Sequence, residues 1–354
     1  MASSQRTAKR LTIREVAQAL GVSTATVSRA LHGRGRINPA TRTRILAQLE
    51  RMGYTPNLHA QSLAGKRSSV VALEYLGNVD VLADSFLIEL ARGIQHSLAS
   101  YHYRLLLNLT GDCEYRRGVL HQWIAGRAID GVIVVANPCV DTAWMHALSA
   151  EGVPTVWIAY DVPHPLPPHT GVVQLNLSAG WREAIEHLNA LGHRQFGLIA
   201  VDPNDPALEV IQQAIHSVNG QLAHTVFACD DTPSGGYRAT LDLLERKPFP
   251  SALLARTDLL AFGVAQALHR YGIRLPHDVS LVGHDDLPLT QWMIPPLSSI
   301  RIDYLELGQR AVAMLMQLIE QRAPSVAPVC VATRLVVRDS VAPPRPNPKK
   351  EVDP

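Results

Sequence analysis

At 354 residues and 47% hydrophobic content, the chain is long enough for two or three domains with cores of their own. Its net charge of +2 divides unevenly: residues 1–67 carry 12 Lys and Arg against Glu15 and Glu50 (+10), whereas the other 287 carry 21 basic and 29 acidic residues (−8). A basic head on a mildly acidic body points to a polyanion-binding module joined to something else, and the absence of any membrane-length apolar run or apolar leader leads us to expect a cytoplasmic protein with no membrane partner.

Ile13, Val16, Ala17 and Leu20 keep the i, i+3, i+4, i+7 spacing of a helix with one buried face, and Thr12 and Glu15 are placed to close a capping box. Gly21 breaks that helix. Val22 offers one buried side chain, and Ser23 caps a second helix whose inner face is Val27, Ala30 and Leu31. Two short helices joined by a tight glycine turn make a helix-turn-helix unit, whose second helix enters the major groove of DNA. That helix presents Thr24, Ala25, Ser28 and Arg29 outward, with Thr26 at the edge. The spacing alone also fits an αα-hairpin of a helical bundle. Asn38-Pro39 reads as N-cap and first position of a third helix with Ile45, Leu46, Leu49 and Met52 on one face, ended by Gly53. Between Pro56 and Gly65, Asn57 can cap a helix of about eight residues, too short to be stable alone in water. It reads as a linker that orders only with a partner.

From Val70 the pattern changes. Apolar runs starting at Val70, Arg104, Asp130, Pro154, Phe196, Thr225, Ser251 and Val279 alternate with amphipathic stretches of helical length. Such alternation means parallel strands with right-handed crossovers, here in two halves that divide near Asn176. A single (β/α)8 barrel is the structural competitor. The tail from Pro343 is rich in Pro and Lys and reads as disordered.

Cys113, Cys139, Cys229 and Cys330 lie far apart without metal-ligand spacing, so buried free thiols are expected, with no disulfide and no metal site. No phosphate loop, zinc-protease motif or nucleophile elbow is present, so neither catalytic residues nor a cofactor are assigned. His193 follows Gly192 at a helix end and reads as a capping residue rather than a base. Asp285, in the run Gly283-His284-Asp285-Asp286, stands just past a strand end. Open α/β sheets bind ligands there, and a carboxylate can accept two hydroxyls.

The runs TIREVAQALGVSTATVSRAL, GYTPN with SLAGK, HLNALGHRQFGLIA, and DVSLVGHDD followed by IPPLSSI occur in that order. Over about residues 11–341 they resemble the LacI/GalR family of bacterial transcription repressors. The resemblance implies an all-α helix-turn-helix headpiece (1–55), a hinge helix (56–67) and an α/β effector-binding and dimerisation core (68–341). That core is similar to periplasmic sugar-binding proteins, with two doubly wound parallel-sheet subdomains at 69–176 plus 302–330 and at 177–301 plus 331–341. Residues 342–354 remain as a disordered tail.

By position-for-position likeness, Thr24, Ala25 and Arg29 read base edges, and Thr26 and Ser28 contact phosphate. Arg29 has the geometry to donate two parallel hydrogen bonds to a guanine. Asn57, Ala60 and Leu63 fit the hinge helix, with Leu63 as a wedge in the minor groove. In the cleft, Asp285 meets the effector from one subdomain while the segment around Asp84 and Phe86 closes from the other. Asp258 matches an acidic effector position, although it also fits a helix N-cap. The chain departs from the family at Arg256-Thr257, where Ala-Asn is commoner. It departs again at Ile211-Gln212, where an arginine is frequent, and at Ala159, where an aspartate is common and Asp161 is the nearest substitute. Arg256 and His284 admit an acidic ligand.

The function implied is a homodimeric, sequence-specific repressor, not an enzyme. It would bind a palindromic operator in double-stranded DNA under the control of a small-molecule effector, a sugar or sugar derivative. The alternatives are a sugar-binding or sugar-handling protein with an accessory DNA-binding head, and a constitutive architectural DNA binder with an empty cleft.

Overall fold

The computed structural model describes residues 11–32, 37–54, 67–76, 85–109, 113–136, 140–160, 165–321 and 326–345. The chain separates after Ser68 into two compact units.

The first unit holds α1 (Ile13–Ala19), α2 (Thr24–His32) and α3 (Pro39–Arg51). Each begins where its cap dictates. Thr12 N–H donates to Glu15 Oε2 at 2.7 Å and Glu15 N–H to Thr12 Oγ1 at 3.3 Å, completing the capping box of α1. Ser23 Oγ accepts from Thr26 N–H at 3.1 Å, and Asn38 Oδ1 from Ala40 N–H at 2.9 Å. Gly21 has φ +65° with nothing near a notional Cβ, so glycine is required there by conformation and not by space. The core of this unit is Val16, Ala17, Val27, Ala30, Ile45 and Leu49, drawn from all three helices. Arg42 Nε donates to Ala30 O at 3.1 Å and ties α3 to the end of α2.

The second unit contains two six-stranded sheets. The first is built from β1 (Val70–Tyr75), β2 (Arg104–Asn108), β3 (Gly131–Val135), β4 (Thr155–Ala159), β5 (Thr170–Asn176) and β11 (Val329–Ala332). Its order is β11-β5-β4-β3-β1-β2 and every pairing is parallel. The second comprises β6 (Gln195–Ala200), β7 (Gln221–Phe227), β8 (Ala252–Ala255), β9 (Ser280–Asp285), β10 (Ser298–Arg301) and β12 (Arg334–Val336). It is ordered β12-β10-β9-β8-β6-β7, with only β12 antiparallel. Helices α4 (Ser85–Ser100), α5 (Cys113–Ala125), α6 (Thr142–Ala150) and α11 (Tyr304–Gln321) belong to the first lobe. Helices α7 (Leu177–Ala190), α8 (Pro206–Ser217), α9 (Pro233–Leu244) and α10 (Asp258–Arg270) belong to the second. Strands β3, β4, β8 and β9 are buried along their whole length, as expected of parallel strands with helices on both faces. These are two doubly wound sheets and not one barrel.

The chain passes between the lobes three times. Asn176 ends β5 in the first sheet and caps α7 of the second lobe, its Oδ1 accepting from Ser178 N–H at 2.9 Å. Ile302 and Asp303 carry the chain from β10 back to α11. Thr333 then separates β11 from β12, so the first sheet keeps two residues beyond position 330. Thr333 also stitches two crossings together: its buried Oγ1 donates to Asn176 O at 2.8 Å and accepts from Gly180 N–H at 3.2 Å. A Cβ on Gly180 would lie 2.3 Å from Ile300 Cγ2, so glycine is required there by close approach.

Three expectations are corrected. Residues 342–345 pack on the second lobe: Ala342 O lies 2.9 Å from His193 Nε2, and Arg345 pairs with Asp278 at 3.1 Å. Only 346–354 of the expected disordered tail lie outside the described residues. His193 does more than end a helix. Its buried ring bonds Ala342 O through Nε2 and Ser251 Oγ through Nδ1 at 2.9 Å, joining β8 to the C-terminal segment. Cys229 and Cys330 are exposed rather than buried, because each belongs to a sheet edge: Cys330 lies in β11, and Cys229 follows β7. Cys139 and the side chain of Cys113 lie outside the described residues.

Candidate functional site

In the first unit, α2 is held by its inner face and open on its outer one. Val27 and Ala30 are fully buried, while Thr24, Ala25 and Arg29 are exposed. Thr26 and Ser28 are half-buried at the flank, and Thr26 Oγ1 sits 2.9 Å from Ser23 Oγ. The predicted reading face therefore exists as one surface on a capped helix. Small residues at 24 and 25 let the helix approach a flat partner closely, and Arg29 reaches beyond them. Asn57, Ala60 and Leu63 of the hinge lie outside the described residues.

In the second unit the topology chooses the site. In both sheets the chain reverses direction across the second strand, which places a switch point between β6 and β8 in the second lobe. Ligands of open α/β sheets sit at the carboxyl ends of strands at such points. Asp205, in the loop after β6, uses its two oxygens for two tasks: Oδ1 caps α8 by accepting from Ala207 N–H at 2.8 Å, and Oδ2 accepts from Arg256 Nε at 2.6 Å. Arg256 follows β8 and is 5% exposed. Its Nη1 lies 3.5 Å from His284 Nδ1, and its guanidinium lies over the Tyr160 ring with 5.4 Å to the centroid. Burial works against its charge, but Tyr160, Asp205 and Asp285 more than offset this and raise its pKa above the ordinary value.

His284 is fully buried and stacks on Trp181 of α7, centroids 5.6 Å apart and planes 10° from parallel. Its Nδ1 is 2.9 Å from Asp285 Oδ1, an acceptor only, so Nδ1 carries the proton and Nε2 is a buried acceptor without a hydrogen-bond partner among the described residues. Burial, and then Arg256, push its pKa well below the ordinary value, so the ring is neutral.

Asp285 is the last residue of β9 rather than one just past it, and it has φ 108°. Asp286 follows with φ 53°. Two consecutive non-glycine residues at positive φ persist only where the surroundings hold them. Here Asp286 is bound by Arg301 at 2.5 Å and Arg338 at 2.7 Å, and the next amide, Leu287 N–H, donates to Asp258 Oδ2 at 2.8 Å. Asp285 stays in register with Arg301 of β10, and its side chain lies beside His284.

The remaining predicted positions divide. Arg256, His284 and Asp285 are brought together, with Asp258 behind them. Asp258 is not the N-cap of α10. That residue is Thr257, whose Oγ1 accepts from Leu260 N–H at 3.2 Å and donates to Asp231 Oδ1 at 2.5 Å. Asp258 is the first helical residue, fully buried, and accepts from Ser299 Oγ at 2.6 Å. Burial, and then the charge of Asp285, hold its pKa well above the usual carboxylate range. Phe86 packs edge-on against Tyr304 at 5.5 Å, beside the second crossing. Gln212 is exposed, about 200° around α8 from Val210, which faces the cleft. Asp84 and Asp161 lie outside the described residues.

Tyr160, Asp205 and Trp181 were not singled out from sequence. Asp205-Pro206 did carry a signal, an N-cap and first helical position directly after a strand. Beside this group lies a cavity of about 250 Å³, at the small end for ligand sites. Both lobes line it: Tyr160, Gln174, Asn176 and Cys330 from the first, Ser178, Pro206 and Val210 from the second. The arrangement sets the paired cation Arg256, with Asp285 and His284, beside a cavity walled by both lobes, a place for a small polar molecule.

Comparison with known proteins agrees with both halves. Residues 12–57 match the model of bacterial regulatory proteins of the lacI family, and 185–341 match a periplasmic binding protein-like domain. The chain is 28% identical to the HTH-type transcriptional regulator CelR of Thermobifida fusca, over 94% of this chain and 98% of that one. It is 27% identical to the HTH-type transcriptional repressor CytR of Escherichia coli strain K12, over 93% and 96%. Among solved structures, the lac repressor dimer bound to operator and the anti-inducer ONPF is similar with a TM-score of 0.77, 27% identity and coverage of 94% and 100%. A complex of the transcriptional regulator CelR with cellobiose is similar with a TM-score of 0.68, 26% identity and the same coverage. With the capped helix-turn-helix, the paired doubly wound sheets and relatives matched over nearly their full length, the chain belongs to the LacI family of bacterial regulatory proteins.

Proposed function

We propose that this chain is a transcriptional regulator that binds a palindromic operator as a homodimer and is controlled by a small polar effector in the cleft of its core. The observation that carries the reading is the exposed face of α2, with Thr24, Ala25 and Arg29 set on a helix fixed from behind by Val27 and Ala30. Arg29 reads a guanine and Thr26 and Ser28 fix the register on phosphate. Residues 56–67, with Asn57, Ala60 and Leu63, serve as the hinge. The protein acts in the cytoplasm and its cleft binds without catalysing.

The dimer reading is supported by Leu289, Trp292 and Ile294, which are 60%, 77% and 97% exposed along one short stretch of the second lobe. Apolar side chains so concentrated on a surface mark an interface. In the cleft, Asp285 and Arg256 contact the effector, with Asp84 and Asp161 approaching from the first lobe. Thr257 and Asp258 shape the site from behind. An effector shifts the relative orientation of the lobes only by its differential affinity for the two orientations.

Selection from a random duplex pool with the purified full chain tests the reading. Enrichment of an inverted-repeat sequence is the expected outcome. Retention of DNA without enrichment of any sequence supports the architectural alternative instead.

A further inference from the structure

We propose that Tyr160 and Arg256 form a clasp across the cleft that holds the two lobes in one relative orientation without any ligand, and that an effector acts by releasing it. This rests on the reading of the cleft as the effector site. Tyr160 directly follows β4 in the first lobe, and Arg256 directly follows β8 in the second. Their contact is made face to side chain, with the guanidinium carbon 5.4 Å from the ring centroid.

Each partner is anchored within its own lobe. Arg256 is fixed by the 2.6 Å bond from Asp205, which is itself immobilised as the cap of α8. On the other side, Tyr160 O accepts from Gln174 Nε2 of β5 at 3.0 Å. The ionic partners of Arg256, Asp205 and Asp285, both belong to the second lobe, whereas Tyr160 meets it from the first lobe with its ring face and with a side-chain hydrogen bond. A cation over an aromatic face is strong enough to bias two orientations and weak enough for a ligand to overcome. Tyr160 also forms part of the cavity wall, whereas Arg256 does not line it. A molecule entering the cavity therefore meets the clasp from its tyrosine side.

The test uses the full chain without ligand. Ser178→Cys places a thiol in the half-buried wall of the cavity and Cys229 lies elsewhere on the surface, so in that background their relative alkylation by a maleimide bulkier than the cavity reports opening. Mass spectrometry reads each site separately. Tyr160→Leu should raise this rate ratio about 3- to 30-fold, the range set by a single cation–π contact, while Tyr160→Phe, which keeps the ring face and loses only the hydroxyl, should raise it less. Arg256→Met should raise it likewise without altering the cavity wall, and the double variant should go no further than the larger single one. Arg256→Gln, which removes the cation but keeps a donor for Asp205, replaces Arg256→Met if that variant does not fold.

Operator affinity provides the second readout, on the duplex that the wild-type chain enriches. The same variants should shift ligand-free affinity in one direction, with Tyr160→Phe shifted least. The clasp is refuted if Tyr160→Leu alkylates like wild type, if Tyr160→Phe behaves like Tyr160→Leu, or if only Tyr160 variants respond. Failure of the wild-type chain to enrich any duplex counts against the operator reading and leaves the alkylation result decisive for the clasp.

Discussion

Replacing Thr333 with Val removes one oxygen from the point where two crossings between the lobes meet. That oxygen donates to Asn176 O at 2.8 Å and accepts from Gly180 N–H at 3.2 Å, in a site where Thr333 is 1% exposed. Two net hydrogen bonds are worth about 2 kcal/mol together, and more where a buried group is left alone. Here the remaining groups are partly rescued. Asn176 O keeps Thr333 N–H at 3.2 Å, and Gly180 N–H lies four residues along α7 from that carbonyl, the spacing of a helical bond. The expected cost is therefore about 1–2 kcal/mol, or roughly a 2–6 °C lower melting temperature for a unit of this size. Thermal unfolding of the full chain by circular dichroism measures it. Ser100→Ala, which removes an exposed hydroxyl bonded to Ser97 O, is the control and should shift melting by less than about 1 °C. If Thr333→Val melts with the wild type, Thr333 does not stitch the crossings and the rigidity attributed to this point is absent.

Three further outcomes are expected. Gly263→Ala should prevent stable folding of the core, since a Cβ there would lie 1.9 Å from Pro233 O and 2.5 Å from Tyr237 N, both backbone; soluble yield and unfolding curves would show it. His193 is buried with its pKa lowered, first by desolvation, so the fold favours the neutral ring and the unfolded chain binds the proton more readily. Stability from this residue should be complete above about pH 6.5 and fall as the pH drops below it, and His193→Phe should flatten that part of the melting-versus-pH curve whatever its baseline. Ile294→Asp, at a side chain 97% exposed, should leave the fold intact yet shift sedimentation equilibrium towards monomer; an unchanged dimer would move the interface elsewhere.

Much of this architecture was legible because local signals agreed with long-range ones. Thr12 with Glu15, Ser23 and Asn38 announced three helices, and their spaced apolar residues became one core. The eight long apolar runs became the parallel strands β1–β4 and β6–β9, of which the edge strands β2 and β7 are partly exposed. The runs that escaped were the crossing strands β5, β10, β11 and β12. Thr, Ser, Gln, Asn and Arg break up β5, β10 and β12, and β10–β12 have only three or four residues, so even the apolar β11 is too short to mark itself. In the cleft, Asp285 was singled out from its place at a strand end and Arg256 as a departure from the family pattern, and the structure sets the two near each other. Tyr160, Asp205 and Trp181 were not singled out, because what brings them to Arg256 and His284 is packing between segments some 50 to 100 residues apart. Gln212, named because it stands where the family often has an arginine, lies on the exposed side of α8.

The central claim is that α2 reads DNA sequence through Arg29. Its most direct test is competition binding of the wild-type chain and Arg29→Ala to the selected operator and to each of its single-base variants. The account predicts that Arg29→Ala loses about 1–3 kcal/mol of discrimination at one G·C pair in each half-site while other positions keep their preferences. Wild-type selectivity at every position in Arg29→Ala would contradict it.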